Sequence, residues 1–129
     1  MLLAMGKITG RPEIDAALAR DLTIDITTIG RHSGDLRTVE IWFLAVDERI
    51  FITGTPGPRD WYANLLADDS LTFHLKESVR AELTATARPV DDEATRRHVF
   101  EHPSAHWYRS QTDIDELVAN APMVEVKFD

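Results

Sequence analysis

The segment richest in chemistry is a turn at residues 27–37, with the sequence Thr-Thr-Ile-Gly-Arg-His-Ser-Gly-Asp-Leu-Arg between two alternating apolar runs. Guanidinium groups bind phosphate and carboxylate through paired hydrogen bonds, and free backbone N–H groups in a turn add further donors. The segment therefore predicts an anion cradle formed by Arg31, His32, Ser33, Gly34 and Arg37. From composition alone, a solvated hairpin turn in which residues 33–35 only reverse the chain is an equally good interpretation.

A second segment, residues 53–64, combines glycines and prolines with Arg59, Trp61, Tyr62 and Asn64. Glycine lets the backbone approach a flat ring closely, while Arg59 or Asn64 can hydrogen-bond the polar edge of that ring. This composition indicates a ring-binding loop. The alternative, in which Trp61 and Tyr62 are core residues and the loop is only a connection, stays open.

Other catalytic and metal motifs have less support. His98, His102 and His106 recur every four residues, the spacing that aligns zinc ligands on a helix, but Pro103 interrupts the helix. We therefore predict no metal site and expect an exposed or substrate-facing set of histidines. The chain contains no Gly-x-Ser-x-Gly, Gly-x-Gly-x-x-Gly or P-loop motif, so a serine hydrolase, a dinucleotide fold and nucleotide hydrolysis have no sequence support.

Alternating apolar residues predict the elements that position these segments. Six strands are expected, at residues 22–26, 38–46, 50–53, 71–76, 79–88 and 124–128, with short helices at 12–20, 61–67 and 91–101. The fold class is mainly β, a six-stranded antiparallel barrel with two or three short helices, in one domain over residues 1–129 with 1–20 as an N-terminal extension. Strand 38–46 is apolar on nearly both sides, as in a barrel or at a dimer interface.

Composition narrows the class of protein. The chain has 129 residues, a net charge of −8, 43% hydrophobic residues and no cysteine, which excludes disulfides and thiolate chemistry. An acidic chain is a poor partner for nucleic acid, because the phosphate backbone repels it. We predict no transmembrane segment, since no apolar run approaches about 20 residues. With no secretion signal in the opening residues, a cytoplasmic location is the default expectation.

Residues 27–37, followed by Trp61-Tyr62-Ala63-Asn64-Leu65-Leu66-Ala67-Asp68, resemble the deazaflavin-dependent nitroreductase and quinone reductase family. That family belongs to the FMN-binding split β-barrel group related to pyridoxamine phosphate oxidases, and the likeness extends from about Leu22 to the C-terminus. The resemblance implies that the Gly-Arg-x-Ser-Gly-x-x-Arg turn holds the phosphate and acidic tail of coenzyme F420, an 8-hydroxy-5-deazaflavin. It implies that the Trp-Tyr-x-Asn-Leu segment packs beneath the ring.

The resemblance also assigns roles along the chain. It places the cradle residues on the cofactor tail, then Thr38, Val39, Glu40, Ile41 and Trp42 along the cofactor, and Thr53, Gly54, Thr55, Pro56, Arg59, Asp60, Trp61 and Asn64 beside the ring. The implied reaction is hydride transfer from the reduced ring to a quinone, nitro compound or activated enone. A side chain that donates to the acceptor oxygen would stabilise the charge developing there, and the candidates are Tyr108, His102 and Ser104. A homodimer with shared sites is expected.

Three alternatives remain at this point. FMN could replace the deazaflavin in the same fold. The chain could be a carrier that binds the cofactor without turnover. It could also be a dimerisation module with no ligand, in which case replacing Arg31 and Arg37 by alanine would change no affinity.

Overall fold

The computed structural model describes residues 8–129, which form one antiparallel sheet of seven strands flanked by five α-helices. The strands are β1 (Thr23–Ile29), β2 (Leu36–Trp42), β3 (Leu44–Val46), β4 (Arg49–Thr53), β5 (Ser70–Leu75), β6 (Ala81–Pro89) and β7 (Met123–Phe128). The helices are α1 (Pro12–Arg20), α2 (Asp60–Ala67), α3 (Glu93–Glu101), α4 (His106–Gln111) and α5 (Ile114–Asn120), with a 3₁₀ turn at Pro103–Ala105. Residues 1–7 of the predicted N-terminal extension lie outside the described residues.

The sheet is curled into a half-barrel. Its strand order is β2-β1-β5-β6-β7-β4-β3, and every neighbouring pair is antiparallel. β2 and β3 lie at opposite edges, yet only Phe43 separates them in the chain. One residue spans only about 3.5 Å, so the two edges must come together. The predicted class, a mainly β antiparallel split barrel, is confirmed.

The predicted single strand at 38–46 is wrong, because the chain leaves the ladder at Phe43. The Phe43 backbone N–H donates to the carbonyl of Leu22 (3.1 Å), and the ring packs edge-on against Phe73 at 5.4 Å. This buried anchor divides the segment into β2 and β3, which raises the strand count from six to seven. Leu44 and Val46 of β3 are buried, whereas β2 is exposed along almost its whole length.

β1 and the helices also depart from the sequence prediction. β1 continues to Ile29, through residues that the sequence places in the turn, while Leu22 lies outside the strand and is 63% exposed. Helix α1 has the predicted bounds, and α2 and α3 lie within two residues of theirs. The sequence did not predict α4 and α5, which bring the helix count to five in the described part of the chain. No helix within residues 8–129 is long and apolar enough to cross a membrane.

Two apolar clusters support the site. One fills the curl of the sheet and includes Ile24, Ile26 and Phe73, and the other lies beneath α3, α4 and α5. Strand β4 separates the clusters, since Phe51 packs in the helical cluster while its neighbours Ile50 and Ile52 pack in the barrel. The helical cluster therefore fixes α4, and with it Tyr108, against the barrel.

A buried arginine holds the helical cluster together. The Arg96 guanidinium is 7% exposed and donates to the carbonyls of Val90 (2.9 Å), Val118 (2.6 Å) and Ala121 (2.5 Å). These carbonyls lie before α3 and at the end of α5, where helical carbonyls lack partners within their own helix. Arg96 thus locks α5 onto α3.

Candidate functional site

The predicted anion cradle is a closed turn between β1 and β2. The Gly30 N–H donates to the Asp35 carbonyl (2.7 Å), and the Gly34 N–H donates to the Gly30 carbonyl (2.8 Å). Gly34 has a φ of 77°, a left-handed conformation that favours glycine. A Cβ on Gly30 would lie 3.1 Å from both the Asp35 carbonyl oxygen and Ser33 Oγ. Both glycines therefore serve the tight closure of the turn.

Helix α2 is hydrogen-bonded to this turn through Asn64. Asn64 Oδ1 accepts from the backbone N–H of Arg31 (3.1 Å) and from Arg31 Nη1 (2.9 Å). Asn64 Nδ2 donates to Thr28 Oγ1 on β1 (3.2 Å), and Arg31 Nη2 lies 3.3 Å from Asp60 Oδ1. The two segments that the sequence singles out are therefore joined in space.

Arg37 supplies charge to the cradle, and it has no acidic partner within the described part of the chain. Its Nη2 lies 3.5 Å from Ser33 Oγ, which also accepts from the Asp35 N–H (3.1 Å). None of the ion pairs among residues 8–129 involves Arg37 or His32. The Arg37 guanidinium thus remains available to an anion.

A cavity of about 330 Å³ opens between the turn and α2. It is lined by Thr28, Gly30, Arg31, His32, Ser33, Arg37, Thr38, Val39, Asp60, Trp61 and Asn64. Most of these residues carry hydrogen-bond donors, including two arginines. We call this space the cradle cavity.

A second cavity of about 400 Å³ adjoins the first. It is lined by Val39, Glu40, Ile41, Trp42, Thr53, Gly54, Thr55, Arg59, Trp61, Trp107 and Tyr108, and we call it the aromatic cavity. Val39 and Trp61 line both spaces, so the two are contiguous. Together they follow β2, which lies at an edge of the sheet, so along one side its backbone groups pair with no strand of residues 8–129.

Three aromatic side chains shape the aromatic cavity. Trp107 meets Trp42 and Tyr108 edge-on, with ring centroids 5.3 and 5.2 Å apart. Trp42 and Trp107 are each 45% exposed and form the mouth, whereas Tyr108 is buried. Burial raises the pKa of the Tyr108 phenol above its ordinary value of 10.0, which keeps it protonated. The Tyr108 hydroxyl has no hydrogen-bond partner among residues 8–129. Every buried side-chain polar atom in this range does have a partner, so the Tyr108 hydroxyl must lie at an accessible surface.

A family model for the F420H(2)-dependent quinone reductase matches residues 3–119. The chain belongs to this family. In general terms it is therefore an oxidoreductase that uses a deazaflavin. The resemblance stated from residues 27–37 and 61–68 is confirmed.

Solved structures agree with the split-barrel fold of an F420H(2)-dependent quinone reductase family member. A putative pyridoxamine 5′-phosphate oxidase from Listeria innocua superposes with a TM-score of 0.70 at 11% identity, covering 91% of each chain. A putative 5-nitroimidazole antibiotic resistance protein from Bacteroides thetaiotaomicron gives 0.69 at 14% identity, covering 95% of this chain and 81% of that one. A FAD-binding protein from Mesorhizobium loti gives 0.68 at 12% identity, covering 92% and 89%.

In this family member, Arg59 lines the aromatic cavity while bonded to neutral oxygens, and Lys76 is paired with two carboxylates. Arg59 Nη2 donates to the carbonyl and the hydroxyl of Thr55 (2.9 and 3.1 Å), so its guanidinium closes the loop before α2. Lys76 Nζ donates to Asp25 Oδ1 (2.8 Å) and to the Glu40 carboxylate, contacts that raise the Lys76 pKa. Glu40 thus lines the aromatic cavity with its charge already paired.

Some predicted site residues lie away from both cavities. His102 and Ser104 hydrogen-bond to each other at the 3₁₀ turn (Nδ1 to Oγ, 2.8 Å), and neither of them lines a cavity named above. Gly34 and Pro56 also line neither of the two cavities. The three histidines do not share a helix, because His98 belongs to α3, His102 follows its end and His106 begins α4. Within residues 8–129, no three His, Cys, Asp or Glu residues cluster as a metal site would require.

Sequence reasoning missed Trp107 at the mouth of the aromatic cavity. Its helix α4 has only six residues, too few for an apolar period to stand out. A usable signal was present, since Trp107 and Tyr108 form an aromatic pair shortly after the helix-breaking Pro103.

Proposed function

We propose that this chain uses reduced coenzyme F420 to reduce a quinone, a nitro compound or an activated enone, with the cofactor lying along β2. One observation carries the proposal: the cradle cavity and the aromatic cavity share Val39 and Trp61 and are otherwise lined by different groups. Arg31 and Arg37 lie at one end, and the rings of Trp42, Trp107 and Tyr108 lie at the other, beside Arg59 and the paired Glu40. A molecule with an anionic tail and a flat ring fits this pair of cavities.

At the cradle end, the residues bind and orient the phosphate-bearing tail. Arg31 and Arg37 offer forked donors, while His32 and Ser33 lie between them in the turn. On a chain with a net charge of −8, this turn is a local basic site. Its position determines the end of the site at which the phosphate-bearing tail binds.

At the aromatic end, the residues position the ring and the acceptor. When bound, the reduced deazaflavin supplies the hydride. Trp42 and Trp107 restrict water at the mouth, and the protonated Tyr108 hydroxyl donates to the acceptor oxygen on which negative charge develops. Quinones, nitro compounds and enones all present such an oxygen. We prefer Tyr108 to His102 and Ser104 as donor, because those two line neither cavity.

The exposed edge strand β2 supports a homodimer. Leu36 and Trp42 are 71% and 45% exposed on one face of this strand, and Val39 is 40% exposed on the opposite face. Exposed apolar residues on an unpaired edge favour association with another chain. We propose that a second copy covers this strand and closes the site. Light scattering should then report a dimer for the wild type and a monomer for Leu36→Asp.

A fluorescence titration tests the cofactor. We expect micromolar binding of F420 and weaker binding of FMN. Arg37→Ala should weaken F420 about 10- to 100-fold, since a lost charge-assisted hydrogen bond is worth about 1.5–3 kcal/mol. Arg80→Ala, which removes an exposed arginine that lines neither cavity, should not change the affinity. Binding of neither cofactor would contradict the proposal, and tighter binding of FMN would contradict the cofactor assigned.

Turnover is tested by adding reduced F420 and menadione and following the absorbance of the reduced form. The account predicts decay well above the buffer rate. Intact binding without such decay would mean that the chain is a carrier.

A further inference from the structure

The side-chain oxygen of Asn64 has no capacity left to accept a hydrogen bond from a ligand. Asn64 is 4% exposed, and its Oδ1 accepts from both the backbone N–H and Nη1 of Arg31. A carbonyl oxygen has two lone pairs, so this atom is saturated. Its Nδ2 donates to Thr28 Oγ1, and Thr28 is 2% exposed on β1. The sequence suggested a hydrogen bond from Asn64 to the ring edge, but these contacts lie at the cradle instead.

The contacts fix the orientation of both Asn64 and Arg31. Arginine only donates, so the Asn64 atom that faces Arg31 must be the amide oxygen, and the amide nitrogen donates to Thr28. Arg31 is thus held both at its backbone and at Nη1. A guanidinium that is already ordered loses less conformational entropy when a ligand arrives.

The Asn64 amide, which holds Arg31 like a clamp, is uncharged. A carboxylate at this position would hold the guanidinium at least as firmly, but it would also cancel its charge. Among residues 8–129, the one carboxylate paired with Arg31 is that of Asp60, which is 92% exposed and lies at 3.3 Å, so water screens this pair. An amide at position 64 therefore orients Arg31 and leaves its positive charge available.

We propose that Asn64 is a positioning residue, a neutral clamp that pre-orients Arg31 for a phosphate group without touching the cofactor. The inference rests on the function proposed above and concerns its tail end only. It predicts that Asn64 affects phosphate-bearing ligands and not the ring.

Two ligands distinguish an effect on phosphate binding from an effect on ring binding. They are coenzyme F420 and 8-hydroxy-5-deazariboflavin, which has the same ring but no phosphate. Asn64→Ala should weaken F420 by about tenfold or more, while the phosphate-free ligand changes less than about twofold. Asn64→Asp should weaken F420 as much as Asn64→Ala, although its carboxylate can still hold Arg31. The control Asn120→Ala, at an exposed position in α5, should leave both affinities unchanged.

A double mutant tests whether Asn64 acts through Arg31. Arg31→Ala with Asn64→Ala should bind F420 no more weakly than Arg31→Ala alone, because Asn64 then has no guanidinium to orient. Affinity for the phosphate-free ligand shows in the same samples that the site is folded.

Three results would overturn the inference: equal weakening of both ligands, wild-type affinity in Asn64→Asp, or additive losses in the double mutant. Failure of the proposed function looks different, since wild-type protein would then bind F420 no more tightly than the phosphate-free ligand. If Arg31→Ala weakens F420 and Asn64→Ala does not, only the clamp is refuted.

Discussion

Replacing Tyr108 by phenylalanine removes one hydroxyl and keeps the ring. The ring centroids of Trp107 and Phe100 lie 5.2 and 6.3 Å from that of Tyr108, and these packing contacts survive the change. Because the hydroxyl has no partner among residues 8–129, its loss leaves no buried orphan. The free energy of unfolding should therefore change by no more than about 0.5 kcal/mol.

The expected cost falls on the reaction. Removing one donor from an oxyanion site typically costs about 100- to 1000-fold in rate, in a site from which water is excluded. Here Trp42 and Trp107 are each 45% exposed at the mouth, so water can partly replace the lost donor. We therefore expect kcat to fall by about 10- to 100-fold, with the affinity for F420 unchanged.

Stopped-flow oxidation of reduced F420 by menadione measures this rate, and Tyr62→Phe, on α2 outside both cavities, is the matched control. Burial raises the Tyr108 pKa above 10.0, so the phenol stays neutral and able to donate below about pH 10. Deprotonation of Tyr108 should therefore not lower the wild-type rate as the pH rises within that range. Wild-type kcat in Tyr108→Phe would refute the assignment. A weakened F420 affinity with unchanged kcat would show that Tyr108 binds the cofactor instead.

Three further predictions concern the scaffold. Arg96→Met should lower the free energy of unfolding by about 2–4 kcal/mol in urea titrations, because buried carbonyls lose their donor; a loss under about 1 kcal/mol would contradict this role. Arg49 donates two hydrogen bonds of 2.9 Å to Glu125, and these hold the pKa of Glu125 below its ordinary value of 4.5. The stability that this ion pair contributes is therefore complete above pH 4.5 and is lost as pH falls through the folded-state pKa of Glu125. Glu125→Gln should therefore destabilise the protein at pH 7 and less so at pH 3, and an equal loss at both pH values would argue against the ion pair. Gly34→Ala, at a φ of 77° with free space around the added methyl, should cost about 1 kcal/mol and lower Tm by about 3–5 °C; an unchanged Tm would show that the turn is not strained.

Local sequence patterns predicted much of the fold and many of the residues that line the site. Alternating residues located the ladder strands, and the Gly-Arg-x-Ser-Gly turn pointed to the cradle, since both signals lie within a few neighbouring residues. Phe43 could not be identified as a strand break in this way. It is apolar, as the alternation requires, and only its contacts with Leu22 and Phe73 take it out of the ladder.

Contacts between distant residues were beyond the reach of such patterns. Arg31 and Asn64 are 33 positions apart, so no spacing rule indicates that one holds the other. Helix α5 has seven residues, and its start is marked only by Asp113, whose side chain accepts from the Asp115 N–H (3.1 Å). Trp107 reaches the site only because the helical cluster fixes α4 against the barrel.

A crystal structure with oxidised F420 tests the central claim most directly. The account predicts the phosphate within hydrogen-bond distance of Arg31 or Arg37 and the ring in the aromatic cavity, in contact with Trp61. The chain also has a larger cavity of about 820 Å³ beside Arg96, which shares Arg59 with the aromatic cavity but no residue with the cradle cavity. Electron density for the cofactor in that cavity, with the cradle empty, would contradict the account.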